Sequence, residues 1–249
     1  MDIQPFLDAW SYESDKLCVR EIKGVDGRKK IQLRIEMGIL QMEITGRPDG
    51  QRPHGHESLL HYHRAQAESA RRQQDGRKAF SIDPETCIAL QMEALQYYHR
   101  RISFLELGEY GRAQQDARRN LKLFDFVKQY AANEEDSLAM EQHRPFVIGH
   151  RVRAAVLQKL EEEDYDRALK EIAEGISEIQ AFFKDFDRPD LVDESEEIAF
   201  LKEWAEEIRK DRPRSLLQEL KEQLKEAITR EDFEHAAELR DRLRALSEN

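Results

Sequence analysis

The sequence predicts a mainly α protein: a small N-terminal antiparallel β-element, a body of helical hairpins, and a two-helix hairpin at the C-terminal end. Three observations point there. Apolar residues make up 39% of the 249 positions and charged residues 37%, a lean core with much solvated surface, as long amphipathic helices provide. From Asp83 onward apolar residues recur at spacings near those of a helix, with Leu90, Leu95, Ile102 and Leu105 first among them. Before position 50 the pattern is instead an alternation that suits strands. The expected domains are 1–78, 83–211 and 215–249.

In the first segment, Ile31, Leu33 and Ile35 share one side of a strand, as do Leu40, Met42 and Ile44. Gly24-Val25-Asp26-Gly27 reads as a hairpin turn, and Gly38 as a bulge or bend. Three such strands need a helix on one face to hold. The Gly- and Pro-rich stretch Gly46–Ser58 is a loop, followed by a helix over 56–74 and a polar break at Asp75-Gly76.

The body begins at an N-cap, Asp83, with Pro84 in the first turn and Glu85 adding favourable charge. That helix runs to about Leu107, a turn follows at Gly108–Gly111, and a second helix covers Arg112–Ala131. Arg188-Pro189 interrupts the array, and Asp193–Lys210 forms a further amphipathic helix with Ile198, Leu201, Trp204 or Ala205, and Ile208 inward. One phrase recurs: Gly or acid, then an aromatic, two residues, then Ala. It stands at Tyr110 with Ala113, at Tyr165 with Ala168, and at Phe233 with Ala236. The aromatic wedges into the base of a helical hairpin and the Ala permits close helix approach. LELGEYGRAQQDARRNLKL resembles the back half of a tetratricopeptide repeat, which implies a helical-hairpin array. The uneven distances between the aromatics depart from the 34-residue period of a regular tetratricopeptide array.

The last segment places Leu216, Leu220, Leu224 and Ile228 four apart on one helix and Phe233, Ala236, Ala237, Leu239, Leu243 and Leu246 on the next, with Ser215 as N-cap and a turn at Thr229-Arg230-Glu231. Two short helices bury a single seam and are marginal alone. The rest of the chain, a second copy or another protein must finish the packing. LLQELKEQLKEAITREDFEHAAELRDRLRAL resembles the UVR motif through Leu220, Lys225, Ala227, Asp232-Phe233-Glu234, Ala236-Ala237 and Leu239-Arg240-Asp241, with Leu224 where that family often has Met. The resemblance implies a helical hairpin that pairs with another UVR hairpin, so the expected partner is another UVR-containing protein or the chain itself. The expected partner-binding residues are Leu220, Leu224, Phe233, Ala236, Ala237, Arg240 and Leu243.

Charge and motifs narrow the chemistry. The net charge is −11, and Glu161–Asp211 holds 19 acids against 7 bases. Such a body opposes phosphate-backbone binding, although 1–78 carries 14 bases and 12 acids and leaves room for a small basic patch. No Walker loop, dinucleotide fingerprint, nucleophile elbow or HExxH is present, so no catalytic or cofactor-binding residue is assigned. Cys18 and Cys87 lie far apart and fit a reducing cytoplasm. No apolar run is long enough to span a membrane, and no secretory leader is recognised. His54, His56, His61 and His63 fall within ten residues, with His54 and His56 the candidate metal ligands, yet His61 and His63 diverge on a helix. Arg47, Arg52 and the loop around Pro48 read as a connecting loop whose Gly and Pro set its path, with an anion at the N-terminus of the helix that follows as the alternative. The expectation is a non-enzymatic bacterial adaptor. The alternatives are a factor associated with DNA repair and a metal-binding protein at His54–His63.

Overall fold

The computed structural model describes residues 2–72, 80–213 and 216–247, without the side chains of 216–219, 221–222 and 245–247. The polar break expected at Asp75-Gly76 and the cap at Ser215 lie outside these residues, as do the Leu216 and Leu246 side chains. The chain is mainly helical and forms two compact units, Met1–Ala205 and Glu206–Asn249.

The first unit opens with a short helix α1 (Gln4–Asp8) and a sheet of β1 (Cys18–Lys23), β2 (Lys29–Ile35) and β3 (Gly38–Glu43), paired antiparallel in chain order. The register sets Val19 opposite Leu33 and Leu33 opposite Leu40, so the apolar residues line one face. At the first turn Gly24 N–H donates to Arg28 O at 2.8 Å, and Gly27 takes a φ of 76° that suits glycine. Gly38 is neither bulge nor bend: it is the first residue of β3 and pairs in register with Ile35 across a tight turn. Ile31, Leu33 and Met42 pack into one core with Ile102, Phe104, Ala113 and Ala154, so the face that needed a helix receives three. Ile35, at the strand end, stays exposed.

After a 3₁₀ turn at Pro53–Gly55 comes α2 (Leu59–Arg72). It starts later than the sequence predicts because Ser58 is its cap, with Oγ accepting from His61 N–H at 3.3 Å. The body is α3 (Pro84–Glu106), α4 (Tyr110–Tyr130), α5 (Glu134–Glu141), α6 (Arg144–Glu161) and α7 (Tyr165–Asp185). Asp83 caps α3 by accepting from Thr86 N–H at 2.8 Å. In this array α4 packs between α3 and α6, and α6 also packs on α7. A short α8 (Leu191–Glu194) precedes α9 (Glu196–Asp211). The expected single helix from Asp193 is broken at Ser195, which is extended and whose Oγ accepts from Ile198 N–H at 3.3 Å. Ile198, Leu201, Ala205 and Ile208 are buried, and Ala205 rather than Trp204 takes the inner position.

The recurring phrase has a common geometry. At Gly108, Glu163 and Glu231 the backbone is left-handed, with φ of 72°, 56° and 58°. In each case the next amide donates five residues back: Glu109 to Phe104 O at 2.8 Å, Asp164 to Lys159 O at 2.9 Å, Asp232 to Ala227 O at 2.9 Å. The acid then stands at the N-cap position of the following helix, where Asp164 and Asp232 accept from Arg167 and His235 N–H at 3.1 and 3.2 Å. The aromatic comes next, and the Ala three residues later is buried at Ala113, Ala168 and Ala236.

Candidate functional site

The second unit contains the candidate site, a hairpin of α10 (Leu216–Thr229) and α11 (Phe233–Ser247). Its seam closes on Leu220, Ala227, Ala236 and Leu239, with Leu220 2% and Leu239 1% exposed. Leu224 and Leu243 pack against this cluster and stay partly exposed. Ala227, at i+7 from Leu220, takes the inner position that the four-residue spacing gave to Ile228.

Two large apolar side chains flank the turn without cover: Phe233 is 69% exposed and Ile228 53%. The aromatics at the matching place in the body, Tyr110 and Tyr165, are half-buried, and Tyr110 packs on the core beneath the sheet. Thus the same turn that seats an aromatic in the first unit leaves one facing solvent in the second. Ala237 and Arg240 lie on the exposed side of α11, and Arg240 Nη2 lies 3.5 Å from the adjacent Asp241 Oδ1. Of the expected partner-binding residues, then, Leu220 and Ala236 serve the hairpin's own seam, while Phe233, Ala237 and Arg240 form outer surface. Ile228 belongs with Phe233, and its neighbourhood to the turn was the signal available in the sequence.

Elsewhere the histidine cluster is organised around a tyrosine. His54 stacks on Tyr62 at 4.1 Å between ring centroids, and His56 and His63 meet it edge-on at 5.5 and 4.9 Å. His61 turns away, its Nδ1 2.9 Å from Ser58 Oγ. Burial holds the His63 imidazole below its usual pKa. Among the described residues no group of three or more His, Cys, Asp or Glu side chains is placed to hold a metal ion.

The anion at the N-terminus of α2 comes from the chain. Glu93 of α3, wholly buried, accepts from Leu59 and Leu60 N–H at 2.8 and 3.2 Å. Arg47 Nε lies 3.1 Å from its Oε2, and Arg119 pairs with its other oxygen. Arg52 stays exposed. No helix among the described residues is long and apolar enough to cross a membrane.

No curated protein and no solved structure matches this chain. The family model for the UvrB/uvrC motif (UVR) matches residues 214–249, so the hairpin of α10 and α11 carries a UVR motif.

Proposed function

We propose that this chain is a non-enzymatic bacterial adaptor of the cytoplasm that pairs its UVR hairpin with another UVR hairpin, in a different protein or in a second copy. The exposure of Phe233 supports this reading most directly. A phenylalanine buries a large area when covered, and at roughly 25 cal/mol per Å² that contributes on the order of 2 kcal/mol to an interface. Ile228 extends the apolar surface across the turn, and the neighbouring Arg230, Glu231 and Asp232 make a charged border. The hairpin already closes one seam with Leu220 and Leu239, so it presents a formed surface to its partner.

The test is Phe233→Asp in the full-length chain, followed by sedimentation equilibrium and by capture of UVR-containing proteins from the native host. The expected result is loss of self-association, or loss of one such partner, with unchanged helicity. An unchanged oligomeric state together with an unchanged set of captured partners overturns the proposal.

A further inference from the structure

Arg100 and Arg101 are consecutive on α3, so the helix sends their side chains about 100° apart. Arg100 faces α4, where Nε and Nη2 pair with Asp116, and its Nη1 donates to the Glu43 and Gly46 carbonyls. Arg101 instead lines a cavity of about 430 Å³ bounded by α3, α4, the end of α5 and the start of α6, with Met92, Leu95, Tyr98, Phe124 and Phe146 among its walls. The Arg101 side chain is only 1% exposed, yet its Nε and Nη1 have no hydrogen-bond partner among the described residues. Tyr98 and Phe146 flank the guanidinium at 5.4 and 5.9 Å. Asp116 acts on it from a distance but is committed to Arg100. Burial lowers its pKa to about 10, which still leaves it charged at neutral pH. His150 of α6 lies beside this group, tilted on Phe146 at 4.2 Å, and its Nδ1 also lacks a partner among the described residues.

A buried cation without a counter-ion is costly, and here it faces an apolar cavity whose rim residues Met92, Leu95 and Phe146 are exposed. We propose that this cavity binds a small amphiphilic monocarboxylate, its head on Arg101 and its tail along Met92, Leu95 and Phe146. One guanidinium balances one negative charge and presents the donors that a carboxylate accepts. The walls are mainly apolar, with Gln91, Asn120 and His143 as the other polar groups, and among the described residues no Lys or second Arg joins Arg101 there, as a phosphate would call for. The volume falls in the range of small-ligand sites, about 300–1,000 Å³. The site lies within the first unit and does not depend on the reading of the hairpin.

Titration calorimetry with decanoate on the full-length chain tests this, with decanol as the uncharged analogue and acetate as a head without a tail. The expected result is saturable one-to-one binding of decanoate, at least about tenfold tighter than either analogue. Arg101→Met should weaken decanoate by at least about tenfold while leaving decanol unchanged. Met92→Asp, at the exposed rim, supplies a second variant that should also lose decanoate if the first folds poorly. Bound carboxylate should also raise the His150 pKa, followed by its ring proton shift. Absence of saturable decanoate binding up to roughly millimolar concentration overturns the proposal, as does equal affinity for decanol. Full retention of decanoate binding in both folded variants overturns it too.

Discussion

Arg100 and Asp116 form a buried two-point ion pair: Nε donates to Oδ2 at 2.8 Å and Nη2 to Oδ1 at 2.7 Å. The third nitrogen of the same guanidinium donates to Glu43 O at 3.0 Å and Gly46 O at 2.8 Å. One side chain therefore ties α3 to α4 and holds the end of β3 and the loop after it.

Removing one partner of such a pair strands the other charge. Asp116→Ala is expected to cost about 3–5 kcal/mol in urea unfolding. The double variant Arg100→Met/Asp116→Leu should recover part of this, because no charge is left unpaired. Recovery stays incomplete, since the Glu43 and Gly46 carbonyls lose their donor. Replacing Asp190, whose pairing with Arg188 is at the surface, should leave the unfolding midpoint in place. A midpoint for Asp116→Ala equal to wild type would refute the assignment.

The contact of α6 with α7 rests on a missing side chain. A Cβ on Gly175 would collide with Val152 Cγ2 and lie 3.2 Å from its Cγ1, whereas one on Gly111 would meet nothing within 4 Å. Gly175 lies inside α7, where the substitution gains helix propensity of about 1 kcal/mol, and Gly111, the second residue of α4, gains less than that. At Gly175 the overlap prevails: Gly175→Ala should destabilise by about 1–3 kcal/mol. Gly111→Ala should stabilise by less than about 1 kcal/mol. Thermal melts of the two variants decide, and equal shifts would rule out close approach at Gly175.

Local chemistry was legible in the sequence and tertiary pairing was not. The Asp83 cap and the Gly24–Gly27 turn follow from neighbours in the chain and fold as the pattern reads, and of the two expected strand faces Ile31, Leu33 and Met42 are buried, Leu40 and Ile44 partly so, and Ile35 is exposed. The mainly helical fold and the C-terminal UVR motif were legible for the same reason. Glu93 carries no such signal. Between Met92 and Ala94 it reads as one more surface acid, and only the arrival of Leu59, Arg47 and Arg119 from distant segments makes it an internal counter-ion. The sequence offered an anion beside Arg47 only as an alternative to a plain connecting loop, and nothing in it pointed to α3 as the source. Arg100 and Arg101 look alike in the sequence and differ only in what faces them. Ile228 was misplaced because a spacing of four drifts around a helix, and Ala227 falls nearer the seam.

Acid should weaken the first unit through His150. Burial first, then Arg101 and Arg153, lower its pKa from 6.5 to about 3. Below about pH 6.5 the unfolded chain binds a proton that the folded chain refuses, so stability falls as pH drops through the window from 6.5 to 3. Above that window this contribution is complete. At about 1.4 kcal/mol per pH unit, the loss at pH 5 is about 2 kcal/mol. His63 and His99, also lowered by burial, add to the same trend. His150→Gln should therefore show a smaller drop in melting temperature between pH 7 and pH 5 than wild type. An identical drop in both would remove His150 as a cause.

The left-handed turns give a final test, and it separates folding of the hairpin from docking. Glu163 and Glu231 occupy a conformation that costs a side-chain-bearing residue about 1 kcal/mol and costs glycine nothing comparable, as at Gly108. Neither substitution disturbs the bonds that close the turn, which are made by the backbone amides of Glu163 and Asp164 and of Glu231 and Asp232. Part of the gain is offset because glycine loses more freedom on folding. Glu163→Gly and Glu231→Gly are each expected to stabilise by roughly 0.5 kcal/mol. For Glu231→Gly, amide hydrogen exchange should slow across Ala227–Leu239, while Phe233 keeps its exposure and partner binding keeps its strength. Faster exchange at those amides would show that Glu231 holds the turn through its side chain, contrary to the geometry of the backbone.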